Sequence, residues 1–512
     1  MKILTANYKE ITICLFTFFI LFIFPGTVPA PHFDELWFLF KTKNLFDAKI
    51  SPPLNGMNSY TGAIQIYLLF PILALFGFTI KTIRITNALI NTSTLLFLIY
   101  TVKALHPNKK YHLLFGIITA AFPFFACMGR FAVEITSTNF LLTSAGFFFI
   151  TTSFNTDKKF KRLYGFLSGL SFGLASYNHM LSILPFASFS LALLIFYRKF
   201  FFKNKILKFV LLGFILGFAP RIASLILIKK PITDNIFIPA AIIKDIPNLI
   251  KILIEMIDGK LIFLRFAGDT LIPLFPYFSS ILIILLWLRF AFIKKRINKT
   301  DKVILTGFFI MIILLILITP RFSIRYFLIP MLFAPYLLAR LASSLGENGG
   351  AILKKVSCIL TAAVILLNIF YLTSNYFVSF LISGGKATTF RIGERLVETS
   401  AHFILADRLY KELINKKVKA IVADVAIIMP VLYHDIDEKL VGATDYLLQN
   451  PDPLLLKDPN IIFSEKSARI YYNPVDLPNT IYYKQNKKIV IYKRDRSFDP
   501  NFAVFLSEQI ID

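Results

Sequence analysis

From Ile11 to about residue 375 the chain runs through one apolar stretch after another, each long enough to cross a bilayer. A helix needs about 20 such residues, because lipid leaves no water to satisfy a backbone N–H or C=O. Stretches at 11–30, 83–102, 112–129, 136–154, 163–178, 180–197, 206–228, 271–290, 303–319, 326–342 and 356–375 are read as eleven spans. The expected fold is therefore a polytopic α-helical membrane protein. Composition agrees: 56% hydrophobic residues, 56 Phe and a mean hydropathy of +0.66 are more than a soluble chain of 512 residues could hide.

The formal charge of +26 suggests a polyanion partner until its distribution is examined. Residues 385–512 hold 18 Lys and Arg against 17 Asp and Glu, whereas residues 1–384 hold 38 against 13. The excess belongs to the membrane part, so no nucleic-acid partner is expected. Loops 103–111, 155–162, 198–205, 291–302 and 340–355 carry nineteen basic residues against Asp157, Asp301 and Glu347. Basic residues favour short cytoplasmic loops. That places the N-terminus in the cytoplasm and the C-terminus outside, in what is expected to be a bacterial inner or plasma membrane.

This sidedness holds only if Tyr60–Phe78 stays on the outer face as a surface or re-entrant helix. Thr61, Gly62, Gln65 and Pro71 all weaken it as a span. Thr27-Val28-Pro29-Ala30 resembles a signal cleavage site, but the long apolar run and the spans that follow favour an uncleaved first helix. Cys14, Cys127 and Cys358 lie in apolar spans and form no metal-like spacing.

Past about Ser383 the composition becomes that of a soluble domain. Ala401–Leu413 has a helical apolar period, Val418–Asp424 reads as a buried strand, and two strand-like runs flank Asn486-Lys487 as a hairpin. The expected domains are a transmembrane domain at 1–384, with outer loops 31–82 and 229–270, and an extracytoplasmic α/β domain at 385–512. No P-loop, dinucleotide fingerprint, zinc-protease motif or internal repeat is evident.

Directly after the first span comes Phe33-Asp34-Glu35-Leu36-Trp37-Phe38-Leu39-Phe40. Phe33, Trp37 and Phe40 share a helical face, which suggests a short amphipathic helix in the membrane interface with Asp34 and Glu35 in its first turn. Acids beside a membrane span point to function; the structural alternative is that they cap the helix. The inferred sidedness puts Asp34, Glu35, Arg84, Arg130, Glu134, His179, Arg321 and Arg325 on the same outer face. A carboxylate there can deprotonate an acceptor or hold a divalent metal, and arginines can grip a phosphate. A phosphate presented at a membrane is naturally a lipid's, so the fitting chemistry is group transfer with the lipid phosphate leaving. Against this, arginines at span ends often only anchor the helix, Arg130–Glu134 could be a structural i,i+4 pair, and a lone His179 is commonly a satisfied polar residue.

The order of these features resembles the GT-C glycosyltransferases, especially the protein O-mannosyltransferase and lipid A aminoarabinose transferase branch. The resemblance rests on Asp34-Glu35 after the first span, Leu75-Phe76-Gly77 closing an outer helix, and Arg84 opening the next span. Glu134 after the third span and Arg325-Tyr326-Phe327-Leu328-Ile329-Pro330 complete it, over roughly residues 10–345. Departures are Asn55–Tyr60 in place of a Pro-rich stretch, Glu134 where many relatives have Asp, and Asn178-His179 where a Lys is common. The resemblance implies a polyprenyl-phosphate sugar donor used on the outer face, with a protein, lipid or glycan as acceptor. It makes Asp34 the lead catalytic carboxylate and Glu35 its helper or structural neighbour. Glu134 would line the acceptor or metal pocket, and Arg84, Arg321 and Arg325 would hold the lipid phosphate; apart from the resemblance, His179 can be drawn with Asp34 and Glu134 as a metal site, but no spacing demands it. A divalent metal is optional in that superfamily. The rival readings are a flippase for a lipid-linked glycan and a non-catalytic cell-envelope assembly protein of the same fold.

Overall fold

The computed structural model describes residues 7–228 (except 27, 30, 58, 59, 108–110 and 204), 253, 255–257, 259, 298–318, 324–348, 351–382, 403–434 (except 424), 441–443, 467–472, 480–485, 488–495, 497 and 502–511. The chain divides into two units. One comprises residues 1–25 and 50–379, the other residues 26–49 and 380–512.

The first unit is helical. Among the described residues, five helices are long and apolar enough to cross a membrane: Ile80–Leu105, Met180–Lys203, Ile206–Leu227, Lys299–Ile318 and Lys355–Val378. Helices Tyr8–Phe22, Tyr111–Ala121, Thr138–Thr152 and Lys158–Asn178 pack with them. The helix Ile64–Phe76 has 13 residues, about 20 Å at 1.5 Å per residue, too short for a core of about 30 Å.

Prolines divide several of the stretches expected as single spans. The stretch at 112–129 is two helices, Tyr111–Ala121 and Pro123–Met128, because Pro123 brings no N–H to continue the first. The stretch at 326–342 is a 3₁₀ turn Ile324–Phe327, a short turn Leu328–Met331 and the helix Phe333–Asn348. The first helix ends at Phe22 rather than near Ala30. Phe24 precedes Pro25, which disfavours helical backbone, and it takes a φ of 51°. The expected span 271–290 lies outside the described residues, as does most of loop 229–270.

Lys158–Asn178 and Ile206–Ile228 pack side by side, running in the same direction, along a seam of glycines. A β-carbon at Gly169 would collide with the Val210 carbonyl, and one at Gly213 with the Phe166 carbonyl. Gly173 and Gly217 repeat the close approach four residues on. Apolar burial cannot drive association inside lipid, so small residues that let backbones touch supply the contact. The consequence is positional: the C-terminal ends of both helices emerge together, bringing Tyr177 beside Arg221.

At the other ends of the helices a polar knot ties four elements. Arg340 Nε donates to Asp301 Oδ1 at 3.0 Å and Nη2 donates to Oδ2 at 2.9 Å. Tyr336 donates to Asp301 at 2.9 Å, and Arg340 Nη1 donates to the Tyr111 hydroxyl at 2.9 Å. His106, just beyond the end of Ile80–Leu105, shares a hydrogen bond of 3.0 Å with Tyr336. Burial pushes its imidazole down to about 4, Arg340 adding to the effect and Asp301 opposing it.

In the second unit, the described residues form a six-stranded sheet of order β2-β1-β3-β6-β5-β4. Its strands are β1 Ala420–Ala423, β2 Val441–Ala443, β3 Ser467–Tyr472, β4 Thr480–Gln485, β5 Lys488–Asp495 and β6 Phe502–Ile511. β1 is parallel to both β2 and β3, and the remaining pairs are antiparallel. Gln485 pairs with Lys488 to set the hairpin register. The helices Phe403–Asn415 and Val425–Tyr433 bury Leu409, Leu413, Ile427, Ile428 and Val431 with Ile421, Ile470 and Val504 of the sheet.

The acidic motif belongs to this unit. Its helix runs Phe33–Phe46 and packs against Val425–Tyr433. The expected amphipathic interface helix is therefore corrected. It extends six residues further, and Leu36, Trp37, Phe38 and Leu39 are all buried, so it presents no open polar face along that turn.

Candidate functional site

The Phe33–Phe46 helix opens with a reciprocal cap. The His32 imidazole Nδ1 accepts from the Asp34 N–H at 3.1 Å, while Glu35 Oε2 accepts from the His32 N–H at 2.8 Å. These contacts satisfy two backbone donors that a helix start leaves over. Glu35 is wholly buried in this arrangement. Asp34, also buried, places Oδ2 3.5 Å from His32 Nδ1. The two acids thus differ: Glu35 is committed to the backbone of the cap, and Asp34 faces an imidazole.

The first unit holds the other candidates. Arg84 lies buried in the first turns of Ile80–Leu105 and donates to the Pro25 carbonyl at 3.3 Å. Arg130 donates from Nη1 to the Ile20 carbonyl at 2.5 Å and from Nη2 to that of Ile23, with the Phe377 ring 4.8 Å and the Tyr376 ring 5.9 Å from its guanidinium. Two arginines therefore meet carbonyls at and beyond the C-terminal end of Tyr8–Phe22, where a helix leaves acceptors unsatisfied and its dipole is negative. Asn87 and Asn91 both donate to the Gly129 carbonyl, at 2.7 and 3.0 Å, fixing the turn that carries Arg130.

Glu134 is buried in the next turn. That turn is tied to the Ile64–Phe76 helix through Gln65, whose Oε1 accepts from the hydroxyls of Ser137 (3.0 Å) and Thr138 and whose Nε2 donates to the Ala132 carbonyl at 3.4 Å. His179 caps Lys158–Asn178, and its Nδ1 accepts from the Leu181 N–H at 3.3 Å. It bridges backbone to backbone with Thr61, and its ring lies 5.3 Å from that of Tyr60 and 5.6 Å from that of Tyr326. The loop before Ile64–Phe76, the end of Lys158–Asn178 and the turn of Arg325-Tyr326 are thereby gathered at one place. Arg325 lies in that turn, though its side chain is outside the described residues, as is the whole of Arg321.

One residue here escaped the sequence reading. Arg221, fully buried, donates from Nη2 to the Tyr177 carbonyl at 3.1 Å and from Nη1 to Asn55 Oδ1 at 3.4 Å. Ser224 donates to the same Asn55 oxygen, and the Tyr177 hydroxyl donates to the Leu54 carbonyl at 2.7 Å. The signal was available: an arginine inside the apolar run 206–228 is expensive without a task. Reading 206–228 as a plain span hid it.

Among the described residues no three of His, Cys, Asp and Glu gather as a metal-holding group. His179 commits Nδ1 to a backbone amide.

No family model matches the sequence, and no curated protein matches it. Among solved structures, the fold is similar to that of ArnT from Cupriavidus metallidurans bound to undecaprenyl phosphate, with a TM-score of 0.59, 10% identity and 98% of each chain covered. The same protein in the apo state gives a TM-score of 0.54 at 10% identity, covering 99% of this chain and 98% of that one. The oligosaccharyltransferase of Archaeoglobus fulgidus is more distant, at a TM-score of 0.49 and 12% identity over 91% of this chain and 69% of that one. The likeness to the two ArnT structures, members of the GT-C fold, covers nearly the whole chain at the level of fold. The chain is an integral, polytopic membrane protein with that fold.

Proposed function

We propose that the protein is a membrane glycosyltransferase that moves a sugar from a polyprenyl-phosphate donor to an acceptor on the outer face of the membrane. The observation that carries this reading is the end-to-end likeness to a GT-C protein whose structure holds undecaprenyl phosphate. Asp34 supports it, as a buried carboxylate that does not close the helix cap, unlike its neighbour.

In this reading the Asp34 carboxylate takes the proton of the acceptor hydroxyl or amine. The freed lone pair attacks the anomeric carbon, and the bond from that carbon to the phosphate oxygen breaks. Polyprenyl phosphate leaves with the electron pair, its charge met by Arg84, Arg321 and Arg325. Glu35 holds the turn that presents Asp34. Glu134 and His179 line the acceptor side, the latter held between Tyr60 and Tyr326. The C-terminal region from 385 onward stands outside the membrane.

The test uses purified protein in lipid vesicles with radiolabelled polyprenyl-phosphate sugars, reading release of free polyprenyl phosphate. Wild type releases it and Asp34→Asn, inserted and accumulated equally well, does not. Full activity in Asp34→Asn removes Asp34 from the chemistry. No release from any donor by folded wild type removes the transferase reading in favour of a flippase or a non-catalytic assembly protein.

A further inference from the structure

Away from His179, at the lysine-rich ends of the same helices, the first unit holds a cavity of about 270 Å³. Its inner wall is aromatic: Phe140, Phe147, Phe172, Phe189 and Phe308 line it, with Phe147 and Phe189 rings 4.6 Å apart. This is close to the smallest ligand pockets, about 300 Å³, and suits an apolar occupant of small cross-section. The cavity reaches the helix ends at Pro107 and Asn155, both exposed, and at Tyr197 and Thr300.

The rim differs from the interior. The Tyr197 hydroxyl and Thr300 Oγ1 share a hydrogen bond of 3.2 Å, and Lys299 Nζ stands 5.5 Å from the centre of the Tyr197 ring. The helix Ile183–Lys203 breaks its regular geometry at Tyr197, with φ −124° and ψ 21°. Lys161, Arg162, Arg198, Lys199 and Lys302 sit at the same helix ends. Of the acids at these ends, Glu10 accepts from Lys103 at 2.6 Å and Asp301 is held by Arg340, while Asp157 is exposed at the start of Lys158–Asn178. An apolar slot with a cationic, hydroxyl-bearing mouth matches a molecule with an apolar chain and an anionic head.

We propose that this cavity takes one acyl chain of an anionic phospholipid from the leaflet at its mouth, with the headgroup phosphate beside Lys299 and Thr300. The Asp301–Arg340–Tyr336–His106 knot forms part of that wall and holds it in place, since Tyr336 and Thr300 both line the cavity. The site is separate from the residues assigned to sugar transfer and does not depend on that reading.

The experiment places the full-length protein in vesicles with phosphatidylglycerol or phosphatidylcholine carrying a diazirine in the acyl chain. The vesicles are irradiated and the labelled peptides mapped. Phosphatidylglycerol labels the peptides of Phe154 and Tyr197 about fivefold more than phosphatidylcholine, roughly the weight of one lysine against an anionic lipid. Ser190→Phe, which fills the cavity from Ile183–Lys203, removes this label. Leu191→Phe, on the exposed side of the same helix, leaves it. Lys299→Glu lowers the phosphatidylglycerol label to the phosphatidylcholine level. Equal labelling by both lipids, or label unchanged in Ser190→Phe, overturns the proposal. So does displacement of the label by undecaprenyl phosphate, which would give the cavity to a polyprenyl chain.

Discussion

Arg221 Nη2 donates to the carbonyl of Tyr177 across 3.1 Å, joining two helices at the point where their glycine seam ends. The bond satisfies a carbonyl in the last turn of Lys158–Asn178, and the same guanidinium reaches Asn55 in the loop before Ile64–Phe76. It therefore fixes the stretch that leads into His179. Replacing Arg221 by Met, close in reach but without donors, is expected to cost about 2 kcal/mol, the range for hydrogen bonds made by a charged group. Thermal unfolding in detergent checks the stability. A Lys at 221 should recover only part of it, because one ammonium cannot reproduce the planar fork.

The glycine seam makes a sharper prediction. Gly169→Leu or Gly213→Leu drives a side chain into a backbone carbonyl and should destabilise by about 1–3 kcal/mol, the usual cost of overpacking. Gly26→Ala meets no atom within 4 Å and serves as the silent control. The midpoint of thermal unfolding distinguishes them.

Glu35 and Asp34 should part in their effects. Glu35→Ala removes one arm of the cap and should lower stability by about 1 kcal/mol. Asp34→Asn keeps its backbone bond to His32 and should leave the unfolding midpoint unchanged while abolishing polyprenyl phosphate release. Equal loss of stability in both variants would make Asp34 a structural residue.

His106 should give the fold a dependence on pH. Its folded value of about 4 lies below the ordinary 6.5, so between these limits the unfolded chain binds more protons and stability rises with pH. The neutral imidazole suits the folded state fully above 6.5. That advantage, about 3 kcal/mol in all, is lost progressively as pH falls from 6.5 through 4. His106→Gln should flatten stability across pH 4 to 6.5, as read by urea unfolding at several pH values.

The membrane class was legible because periodic apolar length is a backbone requirement, visible without any partner residue. The hairpin around Asn486-Lys487 was legible for the same local reason. What local pattern could not carry was division and grouping. Pro123 splits a run whose hydropathy is continuous, and Phe24 stops the first helix through a clash with Pro25 that hydropathy averages away. The helix of Asp34 reads as amphipathic in isolation, yet the turn after Glu35, Leu36 to Leu39, is buried on every side. Its partner helix, Val425–Tyr433, lies almost 400 residues further along the chain. Arg221 was hidden by the opposite error, a polar residue averaged into an apolar run.

The grouping of residues 26–49 with residues 380–512 bears on how such a chain can be cut and recombined. Hydropathy invites a surgeon to separate a membrane half from a detachable tail at residue 384. That incision would leave the Phe33–Phe46 helix behind while discarding Val425–Tyr433, the surface it packs on. The acidic turn and the distant C-terminal residues are thus inherited as one piece: a chimera must exchange both or neither.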